Sequence, residues 1–153
     1  MFAPLTIREV LRVLGYRAIR QAEAHKQKEF KMNTTKTSKV AAVNSAAWYL
    51  RRHDFLILDT NWHCNDGTID IVATEDDNLV IVKVKPVDSK NGAFAPESKP
   101  TAEQRSNLEN MAFDYLFCHD ISDMPLRFDT VEVKRIDDNR CMIKHCVNAL
   151  GTA

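Results

Sequence analysis

Glycine is scarce, with four in 153 residues. No two of them cluster, so the chain has no Gly-rich loop of the kind that cradles nucleotide phosphates. It also lacks a GxSxG elbow and an HExxH pair, which removes the usual signatures of α/β-hydrolases and zinc proteases. The four cysteines, Cys64, Cys118, Cys141 and Cys146, show no CxxC spacing. Without two convergent Cys/His pairs a zinc site is set aside, and the thiols read as free, mostly as small core residues. No apolar run approaches the ~20 residues that cross a bilayer. The opening Met1-Phe2-Ala3-Pro4-Leu5 lacks the apolar stretch of a secretory signal. The expectation is a cytoplasmic protein with no membrane partner, built without an internal repeat.

At this length the chain fits one domain with an appendage. Its 44% hydrophobic and 27% charged residues are those of a globular protein. The formal charge of zero hides an asymmetry: residues 1–40 carry nine Lys/Arg and three Asp/Glu, and the remainder carries twelve basic and eighteen acidic residues. Phosphate contacts usually dominate nucleic-acid affinity. The acidic main segment is therefore not an obvious general nucleic-acid binder, whereas the basic first segment has the charge for it. The alternative is that this charge only solvates a helix face.

Thr6-Ile7-Arg8-Glu9 has capping-box spacing, and Ile7, Val10, Leu11, Leu14 and Ala18 recur with helical period. This predicts a helix from about Ile7 to Phe30. Lys31 to Lys39 reads as a linker. Residues 1–38 thus form a basic helical extension and residues 39–153 the main domain, with Met32 as an alternative translation start. Val40 to Arg52 predicts a second helix and Phe55 to Asp59 a short strand, after which Asn61 to Asp66 leads into a hairpin. The loop after Lys85 holds Pro86, Gly92, Pro96 and Pro100, long enough to be a site loop. A second capping box at Thr101-Ala102-Glu103-Gln104 opens a helix to about Cys118. Arg127–Val133 and Cys141–Val147 read as strands. The order helix, three strands, helix, two strands predicts an α/β fold with one mixed sheet flanked by helices.

The hairpin organises the rest. Gly67 to Thr74 and Leu79 to Lys85 are rich in β-branched residues, and Glu75-Asp76-Asp77-Asn78 between them is turn material. Strands this apolar are usually buried on both faces. A two-residue turn at Asp76-Asp77 places Asp70 opposite Lys83 and Thr68 opposite Lys85, and a one-residue slip would send the lysines to the other face. Ionised groups in a buried hairpin must be paired, hydrated or functional. Asp70, Lys83 and Lys85 are therefore the first candidates for chemistry.

With these elements in order, residues 40–150 resemble the YraN-like family, a bacterial group assigned to the restriction-endonuclease-like or PD-(D/E)XK superfamily and related to Holliday-junction resolvases. Ala46-Ala47-Trp48-Tyr49-Leu50 is similar to the family's first helix, and Asn61-Trp62 to its Asn-Trp after strand one. Gly67-Thr68-Ile69-Asp70 stands at its Gly-Glu-Ile-Asp, and Val82-Lys83-Val84-Lys85 at its Val-Glu-Val-Lys. Asn91-Gly92-Ala93, Gln104, Arg127-Phe128-Asp129 and Asn148-Ala149-Leu150 complete the match. The resemblance implies a restriction-endonuclease-like mixed sheet of about five strands. It also implies a site in which a helix acid, the strand-two aspartate and the Glu of Glu-x-Lys hold Mg²⁺ or Mn²⁺ while the final lysine orients water. Such a cation needs several oxygen ligands and compensating charge.

Asp70 and Lys85 match that pattern, but the helix acid falls on Val43, the Glu of Glu-x-Lys on Lys83, and the Glu before the aspartate on Thr68. Exchanging a carboxylate for an ammonium at ~4 Å reverses a term of about 4 kcal/mol at an effective dielectric near 20. The expectation is that Lys83 pairs with Asp70 in the cation's place and that no cofactor is held. Lys83 and Lys85 together make an anion site, or Lys85 simply snorkels along a sheet edge. Gln104 and Trp62 are further candidate nucleic-acid contacts, with His63 beside Trp62 either stacking on a base or lying at a strand end. Glu103 and Asp66 are candidate relocated acids, though capping and turn chemistry account for both. His145 reads as structural, and Arg127 with Asp129 as a sheet-edge ion pair. The expected function is a nuclease-fold protein with a degenerate metal site that binds branched or single-stranded nucleic acid. The alternatives are an active Mg²⁺- or Mn²⁺-dependent structure-selective endonuclease using Asp70, Lys85 and a relocated acid, and a protein-interaction module.

Overall fold

Ser38 accepts a hydrogen bond from the Ala41 amide at 3.1 Å and so caps helix α1, Lys39–Arg52. The linker expected over Lys31–Lys39 therefore ends short of the last two residues, which already belong to the helix start. The computed structural model describes residues 38–87, 94 and 99–150. The expected helix from Ile7 to Phe30, Met32, Gly92 and Pro96 lie outside the described residues.

After α1 come β1 (Leu56–Cys64), β2 (Gly67–Glu75), β3 (Asn78–Val87), helix α2 (Ala102–Cys118), β4 (Leu126–Arg135) and β5 (Cys141–Cys146). This is the predicted order αβββαββ. The five strands form one sheet in the order β1-β2-β3-β4-β5. Neighbours are antiparallel except β3 and β4, whose parallel pairing requires the crossover through α2. β1 extends through Asn61-Trp62-His63-Cys64, beyond the short strand Phe55 to Asp59 that the sequence predicts. A two-residue turn at Asn65-Asp66 pairs Cys64 with Gly67.

Alternation splits the strands between two cores. On the α1 side Val43, Ala46 and Leu50 pack with Ile71, Ala73, Val80, Val82, Val84, Val131 and Val133. On the α2 side Met111, Ala112 and Tyr115 pack with Ile69, Val72, Leu79 and Ile81. Burial on both faces explains the unbroken apolar runs of β2 and β3. The hairpin has the expected turn, with Glu75 opposite Asn78 and Ile71 opposite Val82; Asp76 takes up the left-handed conformation at φ 50°.

Gly67 has φ +143°, and a Cβ there would stand 3.2 Å from the Met111 sulfur. Gly67→Ala is therefore expected to cost about 1–3 kcal/mol in a urea melt, because backbone strain and crowding add. An unchanged midpoint would show that the turn relaxes freely.

Two sequence expectations fail here. None of the four thiols is fully buried: Cys118 and Cys141 are exposed, Cys64 and Cys146 partly so, and none of them forms a disulfide. The tight apolar positions are taken instead by branched residues at strand centres. Arg127 and Asp129 do not lie at a sheet edge, since β4 is paired on both sides. Asp129 is buried, and it binds Arg127 in bidentate fashion, His145 and the Asn148 amide. His145 lies within this network.

Candidate functional site

β2 and β3 cease to pair after Ile71 and Val82, although both strands continue. At that seam the backbone N–H of Val84 has no ladder partner from β2, and the carboxylate of Asp70 takes its place: Val84 donates to Asp70 Oδ2 at 2.8 Å. The ammonium of Lys39, from the first turn of α1, donates to the same Oδ2 at 2.9 Å and also to the carbonyl of Val84. Three elements thus meet at one carboxylate. Asp70 is 9% exposed, whereas the Lys39 side chain is about half exposed at 48%. A half-exposed ion pair contributes little by itself, ~0–1 kcal/mol. Removing the lysine is a different matter, because it leaves a buried charge with one donor fewer.

The partner expected for Asp70 was Lys83, and the structure corrects this. Val82 and Val84 point into the α1-side core, so Lys83 between them points to the other face and is exposed. Its neighbour Lys85 shares that face, half-buried. The ammonium that meets Asp70 comes from Lys39, four residues before Val43. Residues i and i+4 share a helix face, so the helix does point a side chain at Asp70. It is a lysine one turn earlier, while Val43 itself is buried at 1% exposure in the core.

The other candidates are dispersed. Thr68 is exposed and its hydroxyl lies 2.8 Å from His63 Nδ1. Trp62 is half-buried and meets Tyr115 edge-on, with ring centres 5.2 Å apart. Gln104 completes the α2 capping box, donating from its amide to Thr101 and accepting from the Thr101 amide at 3.0 Å. Glu103 is exposed in the first turn of α2 and Asp66 in the β1–β2 turn. The structure therefore does not bring Trp62, Gln104, Glu103 or Asp66 together with Asp70 by any described bond.

A group that the sequence passed over is Asp59 on β1, whose carboxyl burial pushes above its ordinary value. Burial and this nearby charge push the phenol of Tyr115 up as well. Tyr115 also stacks on His119 at 4.0 Å between ring centres. The bulge between Ile57 and Asp59 turns Asp59 toward this aromatic group, and a bulge has no clear sequence signal.

The residues around Asp70 do not fit a hard divalent cation. Such an ion takes about six or more oxygens with compensating charge. Here a single carboxylate offers an Oδ2 already bound to an ammonium and an amide. Among the described residues no three His, Cys, Asp or Glu side chains converge as a ligand set. What the arrangement does chemically is tie the start of α1 to the β2–β3 seam.

Residues 44–133, from α1 through β4, match the model of "Uncharacterised protein family UPF0102", the YraN-like family. The chain is similar to a UPF0102 protein of Syntrophomonas wolfei, 35% identical over 104 residues that cover 68% of this chain and 89% of the relative. A relative from Alkaliphilus oremlandii is 34% identical over 116 residues, covering 72% and 97%. One from Chloroflexus aurantiacus is 39% identical over 77 residues, covering 50% and 61%. Asp70, Lys83 and Lys85 fall inside the matched segment and Lys39 before it. On this family match, and with the predicted order of helices and strands present, the chain belongs to Uncharacterised protein family UPF0102.

Proposed function

We propose that this protein is a nuclease-fold nucleic-acid-binding module whose cation position is taken by the Lys39 ammonium, so that it binds without metal-dependent cleavage. The observation that carries the reading is the Lys39–Asp70 contact at 2.9 Å. It places a fixed positive charge where the resemblance expects Mg²⁺ or Mn²⁺. Opposite charges within a few ångströms satisfy each other, and a second cation would have to displace the first against that attraction. Lys85 and Lys83 remain on the far face of β3, available to phosphate oxygens. DNA, branched or single-stranded, is the substrate class this reading assigns.

The test is binding to labelled nicked, flap, four-way-junction and single-stranded DNA across a salt series. The expected log K falls linearly with log salt and is unchanged when Mg²⁺ is replaced by a chelator. Affinity that requires the metal would sink the proposal.

One observation favours a second reading, a protein-docking module. Phe113 and Phe117 stand four residues apart on α2, 61% and 86% exposed. Aromatic pairs on one helix face suit a protein partner. Absence of DNA retention even at low salt, in the series above, would select this reading.

A further inference from the structure

The charge of the chain changes sign at the end of α1. Residues 1–53 carry eleven Lys/Arg and three Asp/Glu, whereas residues 54–153 carry ten and eighteen. α1 is the helix of that basic part which the structure describes. It holds Lys39, Arg51 and Arg52 and no acidic residue. An element of this sign, in a domain otherwise acidic, is where a polyanion meets least repulsion.

The inner side of α1 is closed by packing, with Ala42, Val43, Ala46, Ala47 and Leu50 buried in the core. Val40, Asn44, Trp48 and Arg52 follow one another at intervals of four along the outer side. All four are exposed. Trp48 is 54% exposed even though the Arg52 guanidinium lies over its ring, 4.8 Å from the ring centre. Cations in a last turn suit the helix dipole. That accounts for the two arginines, but not for an indole one turn before Arg52. The other tryptophan, Trp62, is half-buried and edge-on to Tyr115. An exposed indole beside a guanidinium, on a helix without acid, has the chemistry that takes up single strands. A base stacks on the ring, and the cation serves its phosphate.

We infer that Trp48 and Arg52 form a stacking platform for an unpaired nucleobase on the outer side of α1. An unpaired base has a π-face to offer, whereas a base inside a duplex is stacked on both sides by its neighbours. The inference rests on the nucleic-acid-binding reading above and gives it a place. That place is on the side of the sheet opposite to Lys83 and Lys85, so the two can be tested by separate substitutions.

The experiment measures anisotropy of fluorescein-labelled oligo-dT and of a blunt duplex of the same length, titrated with the full chain over a salt series. Tryptophan emission is followed in parallel with the unlabelled oligomers. The wild type is expected to bind oligo-dT more tightly than the duplex, with quenching of its emission. Trp48→Ala should lower the oligo-dT affinity by about fivefold to a hundredfold and leave the duplex affinity as it was. Trp48→Phe keeps a ring to stack on, so its affinity should stay within about threefold of the wild type while the quenching disappears. Arg52→Gln should flatten the slope of log K against log salt by about one. Arg140→Gln, which removes an exposed arginine beyond β4, should leave that slope unchanged. Circular dichroism melts confirm that each variant is folded at the assay temperature. Wild-type affinity of Trp48→Ala for oligo-dT, quenching that persists in Trp48→Phe, or tighter binding of the duplex would overturn the platform while nucleic-acid binding stands. Absence of binding by either probe at low salt would overturn the parent reading itself.

Discussion

Asp129→Asn is expected to destabilise the protein by about 3–5 kcal/mol, because it removes the buried charge at the centre of a network. It leaves Arg127 with Glu75 but without its bidentate partner, and turns an amide N–H₂ toward groups that donate to Asp129. At roughly 4 °C per kcal/mol for a domain of this size, the melting temperature should fall by about 12 °C or more. Arg127 donates from Nε and Nη2 to the two carboxylate oxygens at 2.9 Å each, and the same Nη2 reaches Glu75 at 2.6 Å. His145 Nε2 stands 2.8 Å from Oδ2, and the Asn148 amide donates to Oδ1 at 2.9 Å. The network therefore joins β2, β4, β5 and the turn after β5. That turn is also held by the Ala149 amide on the Phe128 carbonyl at 2.7 Å.

The same network fixes a pH dependence. Burial pushes the Asp129 carboxyl up, but the hydrogen bonds from His145, Arg127 and Asn148 outweigh it and hold the group below its ordinary value. A carboxyl depressed in the folded state binds its proton less readily there than in the unfolded chain. Its contribution is complete above the unfolded value of about 3.9 and fades as pH falls through the folded value. Urea midpoints measured from pH 7 down to acid should show the gap between wild type and Asp129→Asn closing only below about pH 4. A gap already closed near neutrality would contradict the role of the Asp129 carboxylate.

Lys39→Glu should invert the behaviour of the candidate site. The variant places a second carboxylate near Asp70 and frees the Val84 carbonyl. Two like charges at ~4 Å repel by about 1 kcal/mol in water and about 4 at an effective dielectric of 20, so the metal-free variant should lose roughly 2–4 kcal/mol. Mn²⁺ should restore much of it, about 2.7 kcal/mol at a hundredfold excess over the dissociation constant. Thermal melts with and without Mn²⁺ check this, and adding Asp70→Asn should abolish the response. Restoring acids at Lys83 and Val43, the repair the sequence suggests, would leave Lys39 in place on Asp70. The structure moves the decisive change to the helix start.

The residues show why some of this was legible beforehand. The hairpin turn could be read because a two-residue acidic turn lies between β-branched runs. The pairing, however, runs only from Glu75–Asn78 to Ile71–Val82, and the expected Asp70–Lys83 and Thr68–Lys85 pairs are not part of it. Asp70 could be read as special because an aspartate inside such a run needs a partner. Its partner could not, since Lys39 belongs by composition to the polar stretch before α1. The available signal was its spacing, one helical turn ahead of Val43. The pairing of Asp129 with His145 needed the order of β4 and β5, which sequence alternation does not give. The cysteines failed because average burial of a residue type says little about four particular positions.

The claim on which the rest depends is that the Asp70 position is filled by an ammonium and has no use for a divalent cation. Calorimetric titration of the wild-type chain with Mn²⁺ and with Mg²⁺, followed by incubation of the same samples with flap and four-way-junction DNA, tests it directly. The account predicts no saturable heat and uncut DNA. Saturable binding that disappears in Asp70→Ala, together with metal-dependent cleavage lost in the same variant, would contradict it.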